Sequence, residues 1–329
     1  MLDPPPSPRP QRPWKRILLG VLALAFLALA LRSLDVAVLR DTLASARPGP
    51  LALALLAYVA CYVARAIRFR LLLVSAAPPL VDLTAVMAVH NLSNMLLPAR
   101  TGELSWLALA KDRYAVPLGE SAVTLLLSRL FDVGGIAAWF LLALLMHAPA
   151  SAQAELWIVA SVVFAAAAAV TFALAPLATL GARMVARGST SAWRAALGRK
   201  LDALAEHARR VRARGTDLAV FVVTQIQWLC TFVTCWCILV AFGVDFPFLR
   251  SILGSTGLSL ALILPLNTFG NVGTFEAGWV AGYRLAGMEP TTAAATALGA
   301  HAAILVFALV LAGVATLVMR SGRGRDRSG

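Results

Sequence analysis

Six apolar runs, at about residues 17–33, 50–70, 119–146, 154–176, 217–243 and 291–319, approach or exceed the roughly 20 residues that carry an α-helix across a bilayer. Within hydrocarbon each backbone N–H and C=O needs a partner inside the protein, so runs of this length dictate helices. The whole chain agrees. Of its 329 residues 60% are hydrophobic and 14% charged, and the mean hydropathy is +0.80. The expected fold class is all-α, a polytopic membrane helical bundle.

A formal net charge of +13 raises the question of nucleic acid, but the basic residues cluster between the apolar runs. There they report topology and attraction to anionic inner-leaflet lipids, and no nucleic-acid partner is expected. Arg9, Arg12, Lys15 and Arg16 precede the first span, Arg65, Arg68 and Arg70 end the second, and nine basic residues lie between Arg183 and Arg214. The positive-inside rule assigns all three clusters to the cytoplasm, together with Arg320, Arg323, Arg325 and Arg327. The loop at 147–153 has no Lys or Arg and goes outside; Arg32, Arg40 and Arg47 run against the scheme but stand near Asp35 and Asp41. Both termini are therefore expected in the cytoplasm of a multi-pass cell-membrane protein. Residues 1–16 are Pro-rich and basic and read as a disordered tail, with 320–329 as a second tail. The run after residue 16 is too long for a cleaved signal peptide. Cys61, Cys230, Cys235 and Cys237 all fall in apolar runs and read as small buried hydrophobes.

Two regions, 81–113 and 250–288, are apolar on average but interrupted by proline, glycine and polar residues. With six spans placed, parity requires each to begin and end on one side of the membrane. Their first halves, about 15 to 17 residues, make roughly 22 to 26 Å of helix, short of a crossing of about 30 Å. Each is expected to be a re-entrant hairpin. The two also resemble each other: "NMLLPARTGELSW" aligns with "ALILPLNTFGNVGTFEAGW", a Leu-Pro pair, a polar turn with glycine, then glutamate and tryptophan. Pro98 and Pro265, the spans starting near 51 and 217, and those starting near 121 and 292 are all separated by roughly 170 positions. The chain thus reads as two inverted repeats, 17–146 and 147–319, each of three spans plus one broken helical hairpin, an arrangement used by secondary transporters.

Between the fourth and fifth spans, Trp193, Leu197, Leu201, Leu204, Ala208 and Val211 recur near helical spacing. They predict an amphipathic helix over about 190–214, lying on the inner leaflet or solvated in the cytoplasm.

Charged residues inside apolar runs are the candidates for function. Arg129 and Asp132 lie well inside the third span at i, i+3, so they share a helix face and can pair. Insertion costs about 2.5 to 3.5 kcal/mol for each at mid-bilayer, so both must face protein or a wet cavity. They serve either as a structural ion pair or as a charged lining for a polar substrate. Arg100 and Glu103 follow Pro98 with Gly102 between them for a tight turn. A helix starting there would aim its positive end, with Arg100, at a phosphate; the alternative is an ordinary loop. Asn267, Asn271, Gly273 and Glu276 occupy the corresponding turn of the second half, and Glu276 is expected to pair with Arg129 or Arg100 or to be protonated. His90, Asn91, Ser93 and Asn94 add polarity to the first hairpin, and His301 sits inside the last span as a structural histidine or a proton carrier. Gly278 and Gly282 suit close helix contact. No nucleotide-binding, zinc-hydrolase, serine-hydrolase or paired Cys-x-x-Cys motif occurs, so no cofactor or metal is expected.

Pro98, Arg100 and Gly102-Glu103, followed by Arg129-Leu130-x-Asp132 and by a second Pro265, Gly273 and Glu276, resemble the lysylphosphatidylglycerol synthase transmembrane region family. These are flippase-like membrane proteins, also found as the membrane half of the multiple peptide resistance factor. The resemblance covers about residues 15 to 320. It implies movement of a lipid from the inner to the outer face, with Arg100, Glu103, Arg129, Asp132 and Glu276 lining a central cavity. It also implies no aminoacyl transfer by this chain, which ends soon after its last span.

The expected function is therefore translocation of a lipid, a phospholipid, glycolipid or polyprenyl-phosphate type, with Arg100, Arg129, Glu103, Asp132, Glu276, Asn94 and Asn267 contacting its headgroup. A lipid-modifying membrane enzyme and a structural or assembly protein are the alternatives, and association of identical chains is left open.

Overall fold

A computed structural model describes residues 46–98, 101–147, 158, 161–162, 164–165, 176–185, 192–263 and 268–325. The expected tail at 1–16, the run at 17–33, Arg100, Pro265 and Asn267 lie outside them, as do most of the run at 154–176 and residues 326–329 of the expected tail at 320–329, whose first six residues instead continue the last helix. Among the described residues the regular structure is all helical. The elements are α1 (Pro48–Leu72), α2 (Leu80–Leu96), α3 (Glu103–Tyr114), α4 (Leu118–His147), α5 (Ala192–Ala213), α6 (Asp217–Ala241), α7 (Phe248–Ile263), a short 3-10 turn (Phe269–Asn271), α8 (Thr274–Leu285) and α9 (Pro290–Arg325). Four helices, α1, α4, α6 and α9, are long and apolar enough to cross a membrane. They coincide with four of the six expected spans.

The helices fall into two successions of matching order. α1, α2, α3 and α4 have 25, 17, 12 and 30 residues; α6, α7, α8 and α9 have 25, 16, 12 and 36. The short members measure about 18 to 26 Å at 1.5 Å per residue, less than a full crossing. Proline and glycine set their ends. Pro98 has no N–H to continue α2, and Gly273, at φ +81°, starts α8 in a conformation other residues resist. Gly102 has another role. Its φ of −59° is right-handed, so the turn does not need glycine's freedom; a Cβ there would instead collide with the backbone of Ser93 and Asn94.

Packing follows the same order. α2 rests on α9 as α7 rests on α4; α2 contacts α3 as α7 contacts α8; α3 contacts α4 as α8 contacts α9; and α1 meets α2 and α4 as α6 meets α7 and α9. The most extensive interface joins α1 to α6. The two run antiparallel: the Arg47 amide donates to the Ala241 carbonyl at 2.8 Å, Thr234 approaches Ala54, Cys61 lies 3.4 Å from Thr231, and Arg68 reaches Thr224. α7 and α8 touch backbone to backbone, because a Cβ on Gly282 would overlap the Gly254 carbonyl and one on Gly257 would overlap Gly282 itself. The main core runs through both successions, from Tyr58 and Phe69 on α1 to Trp106, Ile238, Trp279 and Phe307.

α5 docks on the bundle through one end only. Ala205, Ala208 and Val211 are buried, Val211 beside Leu72, Val123 and Phe131, whereas Trp193 and Leu197 at the other end are exposed. The apolar stripe thus divides between protein contact and an uncovered surface.

Candidate functional site

A cavity of about 190 Å³ opens between the two successions. α1 contributes Tyr58, Cys61, Tyr62 and Arg65; α2 gives Asn91 and Asn94, and α4 gives Arg129 and Asp132. Trp228 and Thr231 on α6, Ser259 on α7, Asn271 on the 3-10 turn, Phe275 on α8 and Ile304 on α9 face it from the other side. Two of the four cysteines, Cys61 and Cys235, therefore reach the cavity wall rather than serving only as apolar filling.

One wall is ionic. Asp132, 3% exposed, accepts from Arg68 Nη1 at 2.6 Å and Nη2 at 3.3 Å, from Gln227 Nε2 at 3.3 Å and from Arg129 Nη1 at 3.4 Å. Arg129 in turn donates to Glu103 Oε1 through Nη2 at 2.9 Å and Nε at 3.2 Å. Glu103 can reach it because it is the first residue of α3, where the helix dipole also favours a negative charge. Arg65 stands apart from these carboxylates: its Nη1 donates to Asn91 Oδ1 at 3.3 Å, and its guanidinium lies 5.4 Å from the centre of the Tyr62 ring. Tyr58 holds Asn91 and Tyr62 in turn. Three guanidinium groups against two carboxylates leave a surplus of one positive charge in the described part of this wall. Four buried polar atoms on the cavity lining have no hydrogen-bond partner among the described residues: Arg65 Nε, Asn94 Oδ1, Trp228 Nε1 and Asn271 Oδ1. Buried polar groups are normally satisfied, so a concentration of orphans around one cavity marks a place for a polar ligand or water.

The residues expected from the sequence distribute as follows. Asn94, Arg129 and Asp132 line the cavity, and Glu103 lies behind Arg129 as its ion-pair partner. Arg100 and Asn267 lie outside the described residues. The expected pairing of Glu276 with Arg129 is corrected, and its alternative partner Arg100 lies outside the described residues: Glu276 Oε1 is 2.6 Å from His301 Nδ1, and its Oε2 accepts from the Gly273 amide at 2.6 Å, capping α8. The physical reason is placement, since α9 packs directly on α8 and brings His301 over its first turn. Arg65 and Arg68, expected among the cytoplasmic charges, turn into the bundle instead of outward. Arg68 is 1% exposed and bonded to Asp132 inside the bundle, and Arg65 lines the cavity. A signal was available: Tyr58, Tyr62 and Arg65 stand at i, i+4 and i+7, a polar face on an apolar helix.

Among the described residues no group of three or more His, Cys, Asp or Glu side chains is placed to hold a metal ion. What the cavity offers is guanidinium, indole and amide hydrogen-bond donors beside aromatic and aliphatic surface, a combination suited to an anionic group carried on an apolar body.

Fold and site together define an α-helical membrane protein with a charged cavity between two similar groups of helices. The chain belongs to the family described as "Lysylphosphatidylglycerol synthase TM region", which it matches over residues 16–312. Its membership ties it to membrane lipids. No match to the chain was found among curated proteins or among solved structures.

Proposed function

We propose that this protein moves a lipid with an anionic, phosphate-bearing headgroup from the inner to the outer leaflet of the cell membrane, leaving the lipid chemically unchanged. The headgroup enters the cavity while the tails stay in the bilayer. The observation that carries this reading is the cavity itself: it is built by both helical successions and, among the described residues, holds one guanidinium more than its carboxylates neutralise and presents four buried polar atoms without partners. An uncompensated cation at membrane depth is costly, and an entering phosphate offsets that cost.

The two successions are read as inverted repeats. Helices of equal rank have nearly equal lengths, their contacts exchange in pairs, and α1 runs antiparallel to α6. Equivalent helices of opposite direction are what a two-fold axis in the membrane plane produces. The α2–α3 and α7–α8 units then enter from opposite faces as re-entrant hairpins, and both termini lie in the cytoplasm.

The test is a vesicle assay. Purified protein is reconstituted in phosphatidylethanolamine and phosphatidylglycerol containing fluorescent phosphatidylglycerol, and label protected from an impermeant quencher is followed. The wild type should deplete the protected pool with no change in lipid mass, and Arg65→Gln should slow this about 10-fold or more, the worth of one charge-assisted hydrogen bond. A changed lipid mass would mean an enzyme. A protected pool as stable as in protein-free vesicles would remove the transport reading.

A further inference from the structure

The second helical succession carries a carboxylate and a base at the ranks where the first carries Glu103 and Arg129. Each glutamate lies in the first turn of a short helix, followed three residues later by a fully buried tryptophan, Trp106 or Trp279. Each tryptophan donates to the start of the next long helix, Trp106 to the Ser121 carbonyl and Trp279 to the Thr296 hydroxyl. Each base lies about three turns into that long helix. In the first succession the base is an arginine, which keeps its charge. In the second it is His301, which can lose it.

The hydrogen bonds of His301 count the protons. The ring is 1% exposed. Its Nδ1 lies 2.6 Å from Glu276 Oε1 and its Nε2 lies 2.9 Å from the Gly270 carbonyl oxygen. A carbonyl oxygen only accepts, and an ionised carboxylate only accepts. A neutral imidazole has one N–H, so beside an ionised Glu276 one of these two contacts would face lone pair against lone pair. Both contacts form together only when the pair holds one further proton. Either an imidazolium donates to both oxygens, or a neutral ring donates through Nε2 to Gly270 while the protonated Glu276 donates to Nδ1.

Of the titratable and charged groups on elements packed against α9, only Glu276 bonds to His301. Asp82 on α2 is held by Arg113 and Tyr114, and His90 bonds Ser105. Tyr58 and Tyr62 on α1 bond each other, Arg65 and Arg68 serve the cavity, and Arg70 is exposed. Tyr283 on α8 bonds Ser251 and Ser255, and Arg284 is exposed; α6 presents Asp217, Cys230, Cys235 and Cys237, none bonded to this pair.

We infer that Glu276 and His301 form a proton-binding site joined to the cavity, and that the proton it binds and releases is the co-substrate of transport. The second clause rests on the proposed lipid movement; the first does not. The connection to the cavity is short. Gly270 belongs to the turn whose next residue, Asn271, lines the cavity with an Oδ1 that has no partner among the described residues, and Phe275, also on the lining, stacks on the His301 ring at 4.4 Å. Loss of the proton releases either the turn or the start of α8 from α9 and so changes the cavity wall. The side chain of Glu276 is 19% exposed and the His301 ring 1%, so the proton enters and leaves on the glutamate's side of the pair.

Glu276→Gln isolates the proton. The glutamine oxygen still accepts from the Gly273 amide, its NH₂ group donates to Nδ1, and Nε2–H still donates to Gly270, so every contact is kept without an extra proton. The full chain with isotope-labelled histidine in phosphatidylethanolamine and phosphatidylglycerol nanodiscs is followed by NMR from about pH 5 to pH 9, the His301 signal being assigned by its loss in His301→Gln. The wild-type pair should release one proton across this range, while in Glu276→Gln the ring stays neutral with its hydrogen on Nε2. In the vesicle assay an imposed gradient of about one pH unit is a tenfold ratio of proton activity, so it should shift the steady-state distribution of fluorescent phosphatidylglycerol by up to about tenfold in the wild type and not in Glu276→Gln. A neutral His301 ring, in either tautomer, beside an ionised Glu276 at every pH would overturn the site. Lipid movement with one distribution in wild type and variant, whatever the gradient, would overturn the co-substrate role and leave the transport reading standing. A pair that titrates in a protein that moves no lipid would support the site and remove the transport reading.

Discussion

At the scale of single residues, the cluster around Asp132 is a set of charges that stabilise only as a group. Asp132 faces two guanidinium groups and an amide in a nearly solvent-free site, so removing one partner leaves a buried charge exposed to low dielectric. Arg68→Ala is expected to destabilise the protein by about 3 to 5 kcal/mol, seen as a lower unfolding temperature in detergent and poorer recovery of monodisperse protein. Arg68→Met combined with Asp132→Leu should recover most of that loss, because an apolar pair of similar volume incurs no desolvation cost. If the double variant were as unstable as the single one, packing of Arg68's stem rather than its charge would be the source. The asymmetry between Arg68 and Arg65 follows from geometry. Both keep an Nε with no partner among the described residues, but Arg68 is bonded to Asp132 through both of its Nη atoms, whereas Arg65 donates only to an amide oxygen and lines the cavity, so Arg65 is the arginine with binding capacity to spare.

At the scale of elements, helix length and glycine placement decide what approaches the cavity. Gly282 and Gly278 on α8 meet Gly254, Gly257 and Ala261 on α7 with no room for a Cβ, and this contact sets the position of the first turn of α8, which carries Glu276. Gly282→Ala should therefore separate the two helices, lower the yield of folded protein and raise hydrogen exchange along α7 and α8. Gly313→Ala on α9 is the control: a Cβ there meets nothing within 4 Å, and alanine in a helix is favoured over glycine by about 1 kcal/mol. Equal behaviour of the two variants would mean that α7 and α8 are not locked by their backbones. The same elements mark what could be read in advance. Spans α1, α4, α6 and α9 are visible as apolar runs because hydrocarbon leaves a helix no alternative, and the Leu-Pro, glycine and Glu-x-x-Trp order announces α2–α3 and α7–α8. The burial of Arg68 was not legible from charge alone. A basic residue near a helix end satisfies the positive-inside rule equally well whether it points outward or back into the bundle, and only the neighbouring helices α4 and α6, bearing Asp132 and Thr224, fix its direction. The partner of Glu276 was hidden for a related reason, since carboxylate and base lie 25 positions apart and are joined only by packing of α8 on α9.

At the scale of the whole molecule, the two helical successions meet along α1 and α6, the largest contact among the described elements, while each short helix pair leans on the long last helix of the other succession through α2 on α9 and α7 on α4. An arrangement of this kind can open the cavity to one side or the other if the successions tilt about the α1–α6 seam. The seam carries few strong polar ties, among them the 3.4 Å contact of Cys61 Sγ with Thr231 Oγ1, which lies at the cavity wall. Thr231→Cys, made with Cys230→Ala to prevent a competing bridge, places two thiols across this seam. Oxidation should join α1 to α6, and if lipid movement depends on tilting at this seam the bridged protein will stop depleting the protected pool in the vesicle assay, with recovery on adding a reductant. Bridge formation is checked independently by the loss of free thiol. Undiminished movement in fully bridged protein would place the moving part elsewhere, in the α2–α3 and α7–α8 units. It would then make α1 and α6 the fixed frame, with the short helices, and the Glu276 and His301 pair that ties α8 to α9, supplying the motion.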